Sequence, residues 1–240
     1  VLCQGVRLVS PAELDRLSPV AERFDLRTEL SEGSPYRLGH ASVVGELVGS
    51  LLSPAPPLKG LISDLDDTLW HGIVGEVGAA GVHFTLENHA QMHGLYQQFL
   101  QSLAERGVLV GIASKNEASL VEETLVRADL LVRRDSLFPV EAHWQPKSES
   151  VARILKTWNI GEDAVVFVDD SPMELAEVQS KFPAMRCVQF PTNDPAKLVT
   201  FFHGLREAFG KTAIREEDRL RALSLRQNAE IVAAAGGGSQ

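Results

Sequence analysis

The chain has 240 residues, of which 44% are hydrophobic, so it can bury one sizeable core with room for a small appendage. Its formal net charge of −9 argues against non-specific binding to nucleic acid and against binding to an anionic membrane surface. No apolar run is long enough for a transmembrane helix, and two widely spaced cysteines favour a reducing, cytoplasmic location over a disulfide framework.

The first part of the chain predicts a helical N-terminal extension over residues 1–57. Because the sequence begins at Val1 and lacks the pattern of a signal peptide, we interpret it as a segment of a longer protein. Ser10 and Pro11 are typical of a helix start, with serine as the cap and proline at the first helical position. A second helix is predicted over residues 36–52, before a proline-rich break.

Residues 58–210 predict an α/β core. Apolar strands that alternate with amphipathic helices indicate a Rossmann-like parallel sheet with helices on both faces. Beyond the core, residues 211–232 predict a C-terminal helix and residues 233–240 a linker-like tail. The four short apolar runs that predict strands are residues 61–65, 108–112, 164–168 and 185–190.

Polar residues stand at the ends of three predicted strands. The first strand ends in Asp64-Leu65-Asp66, the second in Ser114-Lys115-Asn116 and the third in Asp169-Asp170. Open parallel sheets bind ligands just beyond the carboxyl ends of their strands, so these clusters should converge on one crevice. Lys147, at the start of a predicted helix, could reach the same place.

Such a crevice suits phosphoryl chemistry. Packed carboxylates repel one another and need a cation, and oxygen-only ligands suit a hard ion such as Mg²⁺. Lys147 and Ser114 would supply the charge and the hydrogen bonds that a transferring phosphoryl group needs. One aspartate can then attack phosphorus, and a second aspartate two residues later can act as general acid and then base.

The order of these residues resembles the four motifs of the haloacid dehalogenase-like (HAD) superfamily. The resemblance implies that Asp64 is the nucleophile, that Asp66 is the general acid and base, and that Ser114 and Lys147 hold the phosphate. The motif residues are, in chain order, Asp64, Asp66, Thr68, Ser114, Lys147, Asp169 and Asp170.

The same resemblance implies a magnesium site and a HAD-type fold. The expected ligands are Asp64, Asp169 and the main-chain carbonyl of Asp66, with Asp170 close by or acting through water. Because the segment 69–87 is too short for a large cap domain, we expect only a small flap over the site.

A closer resemblance links residues 35–230 to the FkbH-like subfamily of glyceryl transferase/phosphatases in polyketide biosynthesis. This likeness implies that the enzyme takes a glyceryl or related three-carbon acyl unit from 1,3-bisphosphoglycerate or a similar acyl phosphate. It would remove phosphate and load the unit onto the phosphopantetheine thiol of an acyl carrier protein. The matching runs are residues 64–76, 114–117, 144–147, 167–174 and 216–219.

Five residues near the motifs are expected to bind substrate. Lys115 and Asn116 would contact a second phosphate or carboxylate, and the alternative for Trp70 is that it packs the flap down. The full set is Thr68, Trp70, His71, Lys115 and Asn116.

One position departs from the subfamily pattern. Many members have a cysteine just before the Ser-Lys-Asn run, where an acyl thioester is expected, and this chain has Ala113. Either transfer goes directly to the carrier thiol, or transferase activity is lost, or Ala113 was introduced to stall the enzyme. A plain phosphatase acting on a small phosphate ester or a phosphoprotein, and a non-catalytic carrier-docking domain, remain alternatives.

Overall fold

The computed structural model describes residues 9–52, 56, 58–192, 194–210 and 224. Packing divides the chain into two compact units, Val1–Pro56 and Pro57–Gln240. The predicted helix at 211–232, except for one helical residue at 224, and the predicted tail at 233–240 lie outside the described residues. Within the described parts of the chain, none of the helices has the length and apolar character needed to cross a bilayer.

In its described residues, the first unit contains three α-helices: α1 (Pro11–Leu17), α2 (Leu26–Glu32) and α3 (Leu38–Leu52). The helices α1 and α3 lie where the sequence predicts them, whereas α2 was not predicted. The Asp25 side chain caps α2 by accepting from the Arg27 amide at 2.9 Å, and Gly33, at φ +70°, ends it.

The second unit is built on a five-stranded, fully parallel sheet with the strand order β3-β2-β1-β4-β5. The predicted parallel sheet is therefore confirmed, with one strand more than the four predicted runs. The additional strand is β3, a three-residue strand at the edge of the sheet. The strands are β1 (Gly60–Ser63), β2 (Leu109–Ser114), β3 (Val140–Ala142), β4 (Val165–Asp169) and β5 (Arg186–Gln189).

Helices cover both faces of this sheet, because successive strand residues point to opposite sides. The helices are α4 (Val74–Val77), α5 (Gln91–Glu105), α6 (Ala118–Leu125), α7 (Lys147–Trp158), α8 (Pro172–Lys181) and α9 (Pro195–Ala208). On β1, Leu61 packs into a cluster with residues of α5, α6 and α9, whereas Ile62 packs into a second cluster with α7 and α8.

The tryptophan at the end of α7 lies directly on the sheet. A Cβ atom would be 2.6 Å from the Trp158 ring at Gly60 and 2.9 Å from it at Gly111. The indole Nε1 donates to the Phe138 carbonyl at 2.9 Å. The two glycines therefore allow α7 to pack close to the sheet.

The segment between β1 and α5 forms the small flap that the sequence predicts. It contains the single turn of α4 and an antiparallel bridge between His71 and His83. Arg127 fastens this segment to the core, because its Nη1 donates to the carbonyls of Ala79 and Val82 at 2.6 and 3.2 Å.

Candidate active site

A cleft lies beyond the carboxyl ends of β1, β2 and β4, where the three parallel strands finish at one edge of the sheet. Its volume is about 260 Å³. A larger groove of about 750 Å³ between β5 and α9 contains none of the predicted site residues. The residues that line the cleft are Asp64, Asp66, Asp67, Ile73, Ser114, Lys115, Asn116, Lys147, Asp169, Asp170, Ser171 and Glu174.

Lys147 lies between two buried carboxylates in this cleft. Its Nζ is 2.9 Å from Asp64 Oδ1 and 2.5 Å from Asp169 Oδ2, and the three side chains are at most 7% exposed. Burial lowers the pKa of Lys147, but the two carboxylates outweigh burial and hold it above its usual range. The ammonium at the first position of α7 therefore stays charged.

The carboxylates of the cleft are strongly desolvated. Burial raises the pKa of Asp64 to about 7, with Asp169 adding to the rise and Lys147 opposing it. Burial also raises the pKa of Asp169 against the effect of Lys147, and it raises that of Asp170 together with the neighbouring carboxylates. The single positive charge of Lys147 therefore does not balance the negative charges of these three carboxylates.

Three of these acids have the geometry of a cation site. Asp64, Asp169 and Asp170 each offer a carboxylate oxygen, and the three oxygens lie within 4.8 Å of one another. An all-oxygen donor set with excess negative charge suits a hard divalent ion. Among the described residues, the side chain of Asp66 is not in this group, because its oxygens accept hydrogen bonds from other donors. The ligand expected from Asp66 is its main-chain carbonyl, and that stays a prediction.

Those donors come from the flap and from the end of β2. Asp66 Oδ1 accepts hydrogen bonds from Trp70 Nε1 at 2.9 Å and from the Val74 amide at 3.0 Å. Asp66 Oδ2 accepts one from Asn116 Nδ2 at 2.8 Å. The same Nδ2 is 3.0 Å from Ser114 Oγ, so Asn116 bridges the first and second motifs.

Two residues predicted to bind substrate are instead fully buried. Thr68 and Trp70 are 0% exposed, and neither lines the cleft. Thr68 Oγ1 lies 3.5 Å from Asp170 Oδ1, and the Trp70 indole is bonded to Asp66. Each side chain packs behind an aspartate of the cleft, which for Trp70 agrees with the alternative that it packs the flap down; direct substrate contact stays a prediction for both residues.

The remaining predicted contacts differ in position. Lys115 and Asn116 line the cleft, and Lys115 Nζ pairs with Glu174 Oε1 at 2.7 Å. His71 does not line the cleft; its side chain is 60% exposed and its Nδ1 lies 3.1 Å from Asp67 Oδ1. The bridge to His83 holds His71 in the flap, outside the cleft lining, and its contact with substrate stays a prediction.

Two acids of the cleft were not singled out from the sequence. Asp67 has a left-handed backbone at φ +48°, and its Oδ1 accepts from the Gly72 amide at 2.8 Å. Aspartate tolerates this conformation, so the residue fits the sharp turn after β1. Glu174 meets Lys115 across 59 positions of sequence, a pairing that no local pattern signals.

The position where the subfamily pattern has cysteine faces away from the cleft. Ala113 is 0% exposed and packs in the hydrophobic cluster beneath α7 and α8, whereas Ser114, the next residue of β2, lines the cleft. Alternation along the strand explains this difference. Cys187 on β5 is half-buried, and burial together with Asp169 raises the pKa of its thiol to about 11.

Comparison with known proteins identifies the fold. No protein-family model and no curated protein matches the chain. It is similar to the N-terminal part of a Bacteroides fragilis protein that contains a phosphatase domain and was solved with Mg. The TM-score is 0.64 and the identity 24%, over 81% of this chain and 53% of that chain, so this chain spans about half the length of that relative.

Two further solved structures give weaker matches. A cobalt-bound deoxy-D-mannose-octulosonate 8-phosphate phosphatase from Haemophilus influenzae has a TM-score of 0.43 and 14% identity, over 70% of this chain and 96% of that one. A HAD family enzyme from Bacteroides thetaiotaomicron, with magnesium and inorganic phosphate, has a TM-score of 0.41 and 13% identity, over 57% and 96%. The second unit is thus a Rossmann-like parallel-sheet domain with an acidic cleft at its strand ends. Its fold is of the HAD type.

Proposed function

We propose that the protein is a Mg²⁺-dependent phosphoryl-transfer enzyme of the HAD superfamily, with Asp64 as the residue that takes up the phosphoryl group. The observation that carries this proposal is the buried group of Asp64, Lys147 and Asp169, with Asp170 beside it. Burying several carboxylates is costly unless a cation compensates them, so such a group suggests a binding site. The solved relative that shares the fold contains a phosphatase domain and holds Mg.

The geometry supports a division of roles. Asp64 is oriented by Lys147 at 2.9 Å, and Ser114 is buried beside Asn116 with its hydroxyl in the cleft. The Asp64 carboxylate would attack phosphorus, and Lys147 and Ser114 would bind the phosphoryl oxygens. Mg²⁺ held by Asp64, Asp169 and Asp170 would neutralise charge on the phosphoryl group.

The first experiment measures phosphate release from p-nitrophenyl phosphate with Mg²⁺ present. We expect Asp64→Asn to lower kcat/KM by at least about 10³-fold, because the amide cannot form the aspartyl-phosphate. The matched control is Asp135→Asn, whose carboxylate is 71% exposed and outside the cleft, and it should retain activity. Full activity in Asp64→Asn, or no requirement for a divalent ion, would contradict the proposal.

We further propose that the phosphorylated substrate is 1,3-bisphosphoglycerate or a similar acyl phosphate, and that the acyl unit passes to an acyl carrier protein. The carrier thiolate would attack the acyl carbonyl and expel the phosphate of the acyl phosphate, whereas Asp64 would take the other phosphoryl group from its ester oxygen. The FkbH-like motif runs support this finer proposal. The inward-facing Ala113 and the poorly ionised Cys187 thiol favour direct transfer to the phosphopantetheine thiol, without a cysteine thioester on this enzyme.

This finer proposal is tested by the mass of a holo carrier protein incubated with the enzyme, Mg²⁺ and 1,3-bisphosphoglycerate. A glyceryl adduct is expected with the wild type and with Cys187→Ser alike, and none with Asp64→Asn. Phosphate release without any adduct would favour the plain phosphatase, and the absence of both Mg²⁺ binding and phosphate release would favour a docking domain.

A further inference from the structure

The Asp66 carboxylate is bonded unequally at its two oxygens. Oδ1 accepts two hydrogen bonds, from Trp70 Nε1 and from the Val74 amide. Oδ2 accepts one, from Asn116 Nδ2. Because a carboxylate oxygen has two lone-pair positions, Oδ1 is saturated and Oδ2 keeps one position open.

The Asn116 amide orients the Ser114 hydroxyl as well as the Asp66 carboxylate. Its Nδ2 carries two hydrogens and lies within hydrogen-bond distance of two acceptors, Asp66 Oδ2 at 2.8 Å and Ser114 Oγ at 3.0 Å. The reverse orientation of the amide would place its oxygen against a carboxylate, so the nitrogen is correctly assigned to this side. Since Ser114 accepts from Asn116, its own hydroxyl proton is free to donate to a phosphoryl oxygen.

The two side chains that hold Asp66 are both buried. Trp70 is 0% exposed within the main hydrophobic cluster, and Asn116 is 3% exposed in the loop that follows β2. Trp70 and Val74 belong to the flap, whereas Asn116 belongs to the loop at the carboxyl end of β2. The carboxylate is therefore clamped between the flap and this loop, with one oxygen assigned to each.

We propose that Trp70 and Asn116 are positioning residues for Asp66, and that Oδ2 is the oxygen through which Asp66 passes its proton. The inference rests on the proposed phosphoryl-transfer function. When Asp64 attacks phosphorus and the bond to the leaving oxygen breaks, the electron pair goes to that oxygen, which takes the proton from Asp66 Oδ2. When water then attacks the aspartyl-phosphate, Oδ2 takes a proton from the water, and the Asp64 carboxylate and phosphate are released.

This role differs measurably from simple packing of the flap. A misdirected proton donor slows the expulsion of a strongly basic leaving group more than that of a weakly basic one, because the latter leaves without full protonation. Phenolate is more basic than p-nitrophenolate. The ratio of kcat/KM for the two aryl phosphates is also independent of the fraction of folded enzyme, so a destabilised variant remains informative.

The experiment compares phenyl phosphate with p-nitrophenyl phosphate in Trp70→Phe, Asn116→Ala and the control Trp158→Phe. The control also loses a buried indole hydrogen bond, to the Phe138 carbonyl, but Trp158 does not line the cleft and is not bonded to Asp66. We expect Trp70→Phe and Asn116→Ala to lower kcat/KM for phenyl phosphate by a factor at least about ten times larger than for p-nitrophenyl phosphate. Trp158→Phe should lower both values by the same factor.

A second arm repeats Trp70→Phe in an Asp66→Asn background, where the substitution should leave the ratio of the two kcat/KM values unchanged. If the wild type is active but the substrate ratio is unchanged in Trp70→Phe and in Asn116→Ala, the positioning role is wrong while the proposed function stands. A further change in the substrate ratio from Trp70→Phe in the Asp66→Asn background would also overturn the positioning role. Inactivity of the wild type on both substrates would overturn the inference together with the proposed function.

Discussion

Replacing Lys147 with methionine keeps the length of the side chain and removes its charge. The substitution leaves Asp64 and Asp169, which are 7% and 0% exposed, without their cation. Removing one partner of a buried ion pair costs about 3–5 kcal/mol of unfolding free energy. We expect a loss of that size for Lys147→Met in the presence of a chelator at about pH 8.

The loss should also depend on pH. Without Lys147 the pKa of Asp64 rises beyond about 7, so the folded variant binds a proton that the unfolded chain does not. Because the pKa of Asp64 is higher in the folded protein than in the unfolded chain, its protonation stabilises the fold at low pH. This stability is fully present below the pKa of the unfolded chain and is lost as pH rises through the pKa of the folded protein. The penalty of Lys147→Met should therefore increase by about 1 kcal/mol between about pH 6 and about pH 8.

The assay is chemical unfolding followed by tryptophan fluorescence. It reports on the second unit alone, because the three tryptophans, Trp70, Trp144 and Trp158, all lie there. The control is Lys181→Met, which breaks an exposed ion pair with Glu149 and should cost about 1 kcal/mol or less. If Lys147→Met were no more destabilising than Lys181→Met, the reasoning about the buried cluster would be refuted.

Three further outcomes are expected. Gly111→Ala should lower the unfolding free energy by about 1–3 kcal/mol, because its Cβ would be 2.9 Å from the Trp158 ring. The control Gly204→Ala lies in α9, where the nearest atom to the new Cβ is 3.3 Å away, and it should raise the unfolding free energy by up to about 1 kcal/mol. Equal effects of the two substitutions in fluorescence-monitored unfolding would contradict the packing argument. Burial lowers the pKa of His93, so the neutral side chain stabilises the fold above pH 6.5, its ordinary pKa, and this stability is lost as pH falls through the lowered pKa. His93→Gln should make the unfolding free energy less dependent on pH in this range. An unchanged pH dependence in unfolding titrations would contradict this role of His93. Mg²⁺ at about one hundred times its Kd should stabilise the wild type by about 2.7 kcal/mol, and it should stabilise Asp169→Asn less. Thermal unfolding with Mg²⁺ and with a chelator measures both values, and equal stabilisation would show that Asp169 is not a metal ligand.

The sequence predicted those parts of the fold in which apolar residues form a run or recur with the spacing of a helix. The strands β1, β2, β4 and β5 are apolar runs between helical patterns, so local composition was enough to find them. β3 has three residues, all only half-buried, and α2 has no buried residue, so neither has a distinctive apolar pattern. The acids at the strand ends could be grouped because parallel strands finish at one edge of the sheet.

The roles of individual site residues were less accessible from sequence. Proximity to the first motif suggested that Trp70 meets the substrate, but its indole is buried and donates to Asp66. The bond between Asn116 and Asp66 joins residues 50 positions apart, and its direction depends on how an amide is oriented in three dimensions. Such details are tertiary, and no local spacing encodes them.

The contact between Trp158 and the two glycines beneath it has a consequence for the chemistry at the other end of α7. This helix has 12 residues, with Lys147 first and Trp158 last, so one continuous helix links the sheet contact to the ammonium of the cleft. We expect a side chain added at Gly60 or Gly111 to displace the Trp158 end of the helix and, through it, the position of Lys147. Redesign of the sheet surface would then alter the proposed phosphoryl transfer from a distance, even where the protein remained well folded.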